Sequence, residues 1–386
     1  MGTARDSWAV TDALPTITIP SHLLPADGRF GCGPSKIRPE AMNALNSVSS
    51  TYLGTSHRQA TVQFTVSQLR NGLAELFALP DGYEILLGNG GSTMFWDIAT
   101  FGLIDQRSQH LSFGEFSSKF AAAAAAAPHL ASPEVIESAP GTHPEAVASP
   151  GIDVYALTHN ETSTGVVMQL TRPAAADPDA LVVVDATSAA GGVRFAPREV
   201  DVYYFAPQKC LASDGGLWLA AVSPLAIERI ERIAASDRWV PASMDLGIAL
   251  DNSRKDQTYN TPALATIFLA VQQVEWLNNN GGMEFGAGRS DASARTMYSW
   301  AEASTYATPF VTEPADRSPV VATIDLTDDI DAMVVSHILR ANGIVDTESY
   351  RKLGRNQLRI AMFPAIDPSD IEALTHCVDH VVTALG

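Results

Sequence analysis

Leu181-Val182-Val183-Val184-Asp185, and after a small-residue turn Asp201-Val202-Tyr203-Tyr204-Phe205-Ala206-Pro207-Gln208-Lys209: these two stretches decide how the chain folds. Each is a short apolar run that ends in polar or charged residues. Runs of this kind suit strands covered on both faces, as in a parallel sheet packed between helices. In an open α/β sheet, ligands bind beyond the carboxyl ends of the strands. Asp185 closes the first run and Lys209 follows the second, so both fall at that edge. An amine and an acid there can grip one aromatic cofactor, the amine as a Schiff base and the acid on a protonated pyridine nitrogen. That is the pyridoxal phosphate arrangement. Taken alone, the pair also fits a helix cap and a solvated lysine, so the reading turns on its neighbours.

Tyr83-Glu84-Ile85-Leu86-Leu87 predicts another strand, running into Gly88-Asn89-Gly90-Gly91-Ser92-Thr93 and a helix through Met94, Phe95, Ile98 and Leu103. Bare backbone N–H groups and the positive end of the helix would cradle a phosphate. The turn lacks the lysine of a P-loop and the GxGxxG spacing of a dinucleotide site, so no nucleotide triphosphate is indicated. Asp153 to Leu157 predicts a strand ending in Thr158-His159-Asn160-Glu161-Thr162-Ser163-Thr164-Gly165. Gly215 to Val222 predicts one more, antiparallel because so little chain precedes it. Strands ending at 87, 157, 184 and 205 all open into polar or glycine-rich turns, and that repetition points to one shared site. Phe116 opens an alanine-rich helix over Ala121 to Ala127; it could stack on a flat ring or serve as core. His57 and Arg58, before a helix over about 65–78, could clamp an anion or form a solvated pair.

With 386 residues, the length predicts two domains. We divide the chain into an N-terminal arm (1–29) that packs on the small domain, a large cofactor-binding domain (30–275) and a small C-terminal domain (276–386). A long apolar helix, Ala263 to Asn279, closed by Gly281-Gly282, bridges the two. The small domain is expected to contain a strand Val320 to Leu326, a helix Asp331 to Ala341, a strand Gln357 to Met362 and a last helix Pro368 to Leu385. The basic loop Tyr350 to Arg355 and the strand residue Arg359 are candidate anion hands. The balance of 25 basic against 43 acidic residues, net −18, argues against a nucleic-acid surface or an anionic membrane as partner. Three scattered cysteines, no signal peptide and no membrane-length apolar run suggest a cytoplasmic protein. His376 and His380 lie i, i+4 without a third ligand, so we expect packing there and no metal.

Ala206-Pro207-Gln208-Lys209, Asn160-Glu161-Thr162, Ser56-His57-Arg58, Gly90-Gly91-Ser92-Thr93 and Asn260-Thr261-Pro262, in this arrangement, resemble the phosphoserine aminotransferase family. These are class V aminotransferases with the fold type I pyridoxal phosphate architecture, a large mostly parallel-sheet domain plus a smaller α+β domain. The resemblance runs from Phe30 to about Ala365. It implies that Lys209 is the Schiff-base lysine, that Asp185 is the partner of the pyridine nitrogen, and that Gln208 and Thr162 lie near the cofactor's 3′-oxygen. It implies that Gly91, Ser92 and Thr93 hold the cofactor phosphate and that Phe116 takes the ring-stacking place. Asn260 and Thr261 would reach that phosphate from a neighbouring subunit, which implies a homodimer with shared sites. His57, Arg58 and Arg351 would bind the substrate's distal anion, and Arg359 its α-carboxylate. The activity so implied is ping-pong transamination of phosphoserine with 2-oxoglutarate, giving 3-phosphohydroxypyruvate and glutamate in serine biosynthesis, with a related substrate in vitamin B6 synthesis open. The chain departs from the family pattern in carrying Phe116 where a tryptophan is common, Cys32 where a hydroxyl is common, and Tyr350 before Arg351. Other class V enzymes, such as an alanine–glyoxylate aminotransferase, and a non-enzymatic phosphometabolite binder remain alternatives; Lys209 speaks against the binder, which needs no imine.

Overall fold

The computed structural model describes residues 15–386; positions 1–14, the first half of the expected arm, lie outside the described residues. The large domain opens with helices α1 (Pro39–Tyr52) and α2 (Ala60–Leu76), then alternates β1 (Glu84–Gly90), α3 (Ser92–Gly102), β2 (Ser108–Ser112), α4 (Glu115–Ala126), β3 (Glu134–Glu137) and β4 (Val154–Thr158). A small hairpin, β5 (Asn160–Glu161) and β6 (Val166–Val167), precedes β7 (Leu181–Asp185), β8 (Val202–Phe205) and β9 (Gly216–Val222). Helices α5 (Pro224–Ala234), α6 (Leu246–Ser253), α7 (Leu264–Asn279) and α8 (Gly282–Ala303) lead to β10 (Ala307–Pro309), β11 (Val321–Leu326), α9 (Ala332–Ala341), β12 (Gln357–Ala361) and α10 (Pro368–Leu385).

The main sheet has seven strands in the order β1-β9-β8-β7-β4-β2-β3. The β8-β7-β4-β2-β3 neighbours are all parallel, and β9 runs antiparallel to both β8 and β1, as its short connection predicts. β7 and β8 are buried at every position. Their side chains alternate between the two faces, as strand geometry requires. Val182, Val184, Tyr203 and Phe205 pack with Leu69 and Leu73 of α2. Leu181, Val183, Val202 and Tyr204 pack with Phe95 of α3 and Ile227 of α5. Helices cover both faces, which is why these strands carry no charged position until their carboxyl ends.

A second, antiparallel sheet in the order β10-β11-β12 belongs to the C-terminal part. The described part of the N-terminal segment packs on the C-terminal part, against the end of α9, the residues after it and α10. Val345 N donates to Gly28 O at 2.8 Å, Ile19 N to Asn342 Oδ1 at 2.9 Å, and Ala26 N to Asp370 Oδ1 at 2.8 Å.

Two stretches differ from the sequence expectation. Gly281, at φ +120°, caps α8, so the glycine pair separates two helices where we expected only the end of one. α8 escapes periodicity because its buried positions are mostly small, among them Gly286, Ala287, Ser290 and Ser293. They allow close backbone approach: a Cβ on Gly286 would lie 2.4 Å from Gly191 O. The stretch between α5 and Thr261, read as polar and irregular, contains α6, whose first N–H groups are taken up by Asp245. Among the described residues no helix is long and apolar enough to cross a membrane, and the three cysteines are free and buried.

Candidate active site

The carboxyl ends of β1, β4, β7 and β8 open on one cavity of about 700 Å³, closed from the other side by Tyr350 and Arg359 of the C-terminal part. Lys209 enters it just past β8, only 7% exposed. Its Nζ donates to Thr162 Oγ1 at 2.8 Å and lies 5.1 Å from the centre of the Phe116 ring. Burial pushes the Lys209 amine below the usual lysine range; the Asp185 charge pulls the other way, and Arg359 adds to the lowering. The backbone before Pro34 lies directly on this side chain. Gly33 has φ +133°, and a Cβ there would meet Lys209 Cε at 2.8 Å, so only glycine fits.

Asp185 ends β7 and is clamped from three directions. Thr187 N donates to Oδ1 at 2.9 Å, while Trp96 Nε1 and Tyr204 OH each donate to Oδ2 at 3.2 Å. Burial, with the Asp185 charge, holds the Tyr204 hydroxyl well above its usual range, so it stays a donor. Gly90 (φ +127°) and Gly91 (φ +156°) turn the chain from β1 into α3, a conformation that residues with a Cβ rarely adopt. The free N–H groups at the start of α3 therefore face the cavity beside Ser92 and Thr93. Ser92 Oγ lies 2.5 Å from Thr187 Oγ1, so hydroxyls of α3 and of the β7 turn meet there.

Of the residues singled out from sequence, Gly91, Ser92, Thr93, Phe116, Thr162, Asp185, Gln208, Lys209 and Arg359 line this one cavity. Five others do not. Thr261 Oγ1 lies 3.3 Å from His57 Nδ1, Arg58 Nη1 donates to Gln257 Oε1 at 3.1 Å, and the Asn260 and Thr261 carbonyls accept from Asn89 Nδ2. His57, Arg58, Asn260 and Thr261 thus form a separate cluster beside the glycine turn. Arg351 stands exposed in a short turn next to Tyr350, and its neighbour Lys352 pairs with Glu115. Sequence reasoning gave no role to Trp96, Thr187, Ser188, Asn160 or Tyr204. The available signal was position: Trp96 is one helical turn beyond Ser92, and Thr187 and Ser188 follow Asp185 in the same turn.

The cavity has unmet polar demand. Gln208 Oε1, Asn160 Oδ1 and Arg359 Nε are buried without a hydrogen-bond partner among the described residues. Buried polar atoms left unpaired are costly, so such a group signals a ligand or water. A buried amine, a held carboxylate and a helix-terminal anion cradle in one cavity fit a phosphorylated pyridine aldehyde, which offers a partner to each, and the unpaired donor of Arg359 is left for a second anion.

The pattern of the family described as Aminotransferase class-V matches residues 30–348. A phosphoserine aminotransferase of a Nocardioides species is 61% identical over 377 residues, 97% of this chain and 100% of that protein. One from Rhodococcus jostii is 58% identical over 371 residues, 96% and 99% of the two chains. Among solved structures, the phosphoserine aminotransferase of Cytophaga hutchinsonii superposes with a TM-score of 0.85 at 22% identity, over 92% of this chain and 99% of that one. The PLP-bound phosphoserine aminotransferase of Trichomonas vaginalis gives 0.74 at 18% identity, over 92% and 99%. At these identities the two structures show a shared fold.

Proposed function

The chain belongs to the class-V aminotransferases, and from that premise we propose that it transfers the amino group of phosphoserine to 2-oxoglutarate. It is a pyridoxal phosphate-dependent transaminase of fold type I, with a large mostly parallel-sheet domain and a smaller C-terminal one. The observation that carries the substrate reading is the meeting of Lys209, Asp185 and Arg359 in one cavity, in a chain 61% identical to a phosphoserine aminotransferase.

The residues divide the work as follows. The bound cofactor supplies an aldehyde that captures the amino group and a ring that takes up the electron pair left when the α-proton departs. Lys209 anchors the cofactor and, as an amine kept less basic by burial, takes the α-proton from the substrate. Asp185, fixed by Trp96, Tyr204 and Thr187, keeps the ring nitrogen protonated. Gly91, Ser92 and Thr93 hold the cofactor phosphate at the start of α3. Gln208 and Thr162 would hold the ring's oxygen substituent, and Phe116 would cover the ring. Arg359, whose Nη1 donates to Thr162 O at 3.3 Å, takes the α-carboxylate with the donor it has left unpaired.

His57, Arg58, Asn260 and Thr261 sit together outside this cavity. We propose that the protein is a homodimer in which this cluster completes the partner's site: Asn260 and Thr261 at the cofactor phosphate, His57 and Arg58 at the distal anion of the substrate, with Arg351 reaching the same anion. We place the boundary between the two domains near residue 275, the protein in the cytoplasm, and the vitamin B6 substrate within reach of the same anion contacts. Steady-state assays test the substrate reading. Phosphoserine with 2-oxoglutarate should exceed alanine with glyoxylate by orders of magnitude in kcat/KM. Equal or reversed preference would move the chain to another class-V activity.

A further inference from the structure

Glu161 is fully buried and takes no part in the chemistry above, yet its carboxylate is the most heavily bonded side chain near the cavity. Oε2 accepts from Phe116 N at 3.1 Å, Ser117 N at 2.9 Å and Ser117 Oγ at 3.0 Å. Oε1 accepts from Ser163 N at 3.2 Å and Ser163 Oγ at 2.7 Å, and that same Oγ accepts from Glu115 N at 3.0 Å. The start of α4 is therefore capped from another segment of the chain, with a negative group at the positive end of the helix. The fit leaves no room: a Cβ on Gly114 would lie 2.3 Å from Glu161 Cγ.

The neighbours of Glu161 look the other way. Successive side chains of a strand point to opposite faces. Asn160 and Thr162 face the cavity, where Thr162 holds Lys209, while Glu161 turns into α4. The same segment docks on the small sheet through Thr323 Oγ1, which donates to Thr164 O at 2.8 Å, and Arg359 donates to Thr162 O. One carboxylate thus joins the helix that presents Phe116 to the turn that touches Lys209 and Arg359.

We propose that Glu161 is a positioning residue: by capping α4 it sets the Phe116 ring over Lys209 and fixes the spacing between the two walls of the cofactor cavity. The inference rests on the pyridoxal phosphate reading of the cavity. Glu161→Gln keeps the shape but turns an amide NH2 toward backbone N–H donors, which leaves Phe116 N and Ser117 N, or Ser163 N, facing a donor.

The test is a double-mutant cycle read by equilibrium titration of pyridoxal phosphate into cofactor-free protein, with the visible circular dichroism of the bound cofactor as a second signal. Wild type, Glu161→Gln, Phe116→Ala and the double variant are compared. Glu161→Gln should weaken binding about tenfold and reduce the dichroic band. In the Phe116→Ala background the same change should add little, because its effect passes through the ring. If Glu161→Gln does not fold, Ser163→Ala replaces it in the cycle; Ser163 lies outside the cavity lining and its loss removes one donor to the carboxylate. Additive losses, or wild-type affinity in the Glu161 or Ser163 variant, would overturn the positioning role alone. A wild type that binds no pyridoxal phosphate would overturn the cavity reading and this inference together.

Discussion

At the scale of single residues, the lowered basicity of Lys209 has a measurable sign. Its folded pKa lies below the ordinary lysine value, because burial disfavours the charged form. Below the folded pKa the native state holds a buried charge, and the penalty is present in full. Between the folded value and the unfolded value of about 10.4, the unfolded chain binds more protons, so stability rises with pH. Lys209→Met should therefore raise the Tm of the cofactor-free protein near about pH 7, and the gain should shrink toward about pH 9.5. A gain that does not change with pH would contradict the burial argument. The same variant should lose transamination. The arginines separate by substrate. A charged hydrogen bond contributes roughly 1.5–3 kcal/mol, so Arg58→Ala should lower kcat/KM for phosphoserine and glutamate about ten- to a hundred-fold and leave alanine little changed. Arg359→Ala should depress all three amino donors. An Arg58→Ala enzyme equally impaired with alanine would make that residue structural. His57, beside Arg58, is lowered by burial and by the arginine charge, so it offers a neutral N–H to an anion at neutral pH. His57→Ala should accordingly cost less than Arg58→Ala in the same kcat/KM measurement.

Among the elements, legibility follows from how each is buried. β7 and β8 could be read from sequence because apolar side chains on both faces leave an unbroken run that ends where the site begins. α10 was readable to both ends, from Pro368 to Leu385. α8 was not, because small residues carry close packing without an apolar stripe. Trp96 was invisible for a different reason: its bond to Asp185 exists only once α3 lies beside β7, and no local pattern encodes that. The docking of the β5–β6 turn is likewise a tertiary fact. Gly165 has φ +71°, and a Cβ would meet Thr323 Oγ1 at 2.7 Å and Val321 O at 2.9 Å. Gly151 has φ +75° but open space around it. Both alanine variants bear the backbone strain of roughly 1–3 kcal/mol. Gly165→Ala should lose more in thermal stability and also in kcat/KM, since it displaces the turn carrying Thr162. Equal Tm losses with full activity in both would show that the turn tolerates the shift.

For the whole molecule, the question is which chain supplies which group. The sequence carried the four residues of the outer cluster as two unrelated motifs, His57-Arg58 and Asn260-Thr261; the fold puts them side by side and outside the chain's own cavity. That grouping is what a shared site requires. A chain of net charge −18 repels anionic substrates in general, so local cations must do the capture. Sedimentation should give a dimer. Mixing an Asn260→Ala, Thr261→Ala variant with inactive Lys209→Ala protein should restore part of the activity, because one site of each hybrid keeps every group intact. A fully active monomer would exclude shared sites. The central claim, that this cavity carries out the amino transfer of phosphoserine, is tested most directly by a single half-reaction. Phosphoserine is added to the stoichiometrically loaded enzyme without any keto acid, and the absorbance of the bound cofactor is followed. We expect conversion of the aldehyde form to the amine form with release of one equivalent of 3-phosphohydroxypyruvate, and full reversal on adding 2-oxoglutarate. An unchanged spectrum with phosphoserine, in an enzyme whose spectrum does change with alanine, would contradict the account.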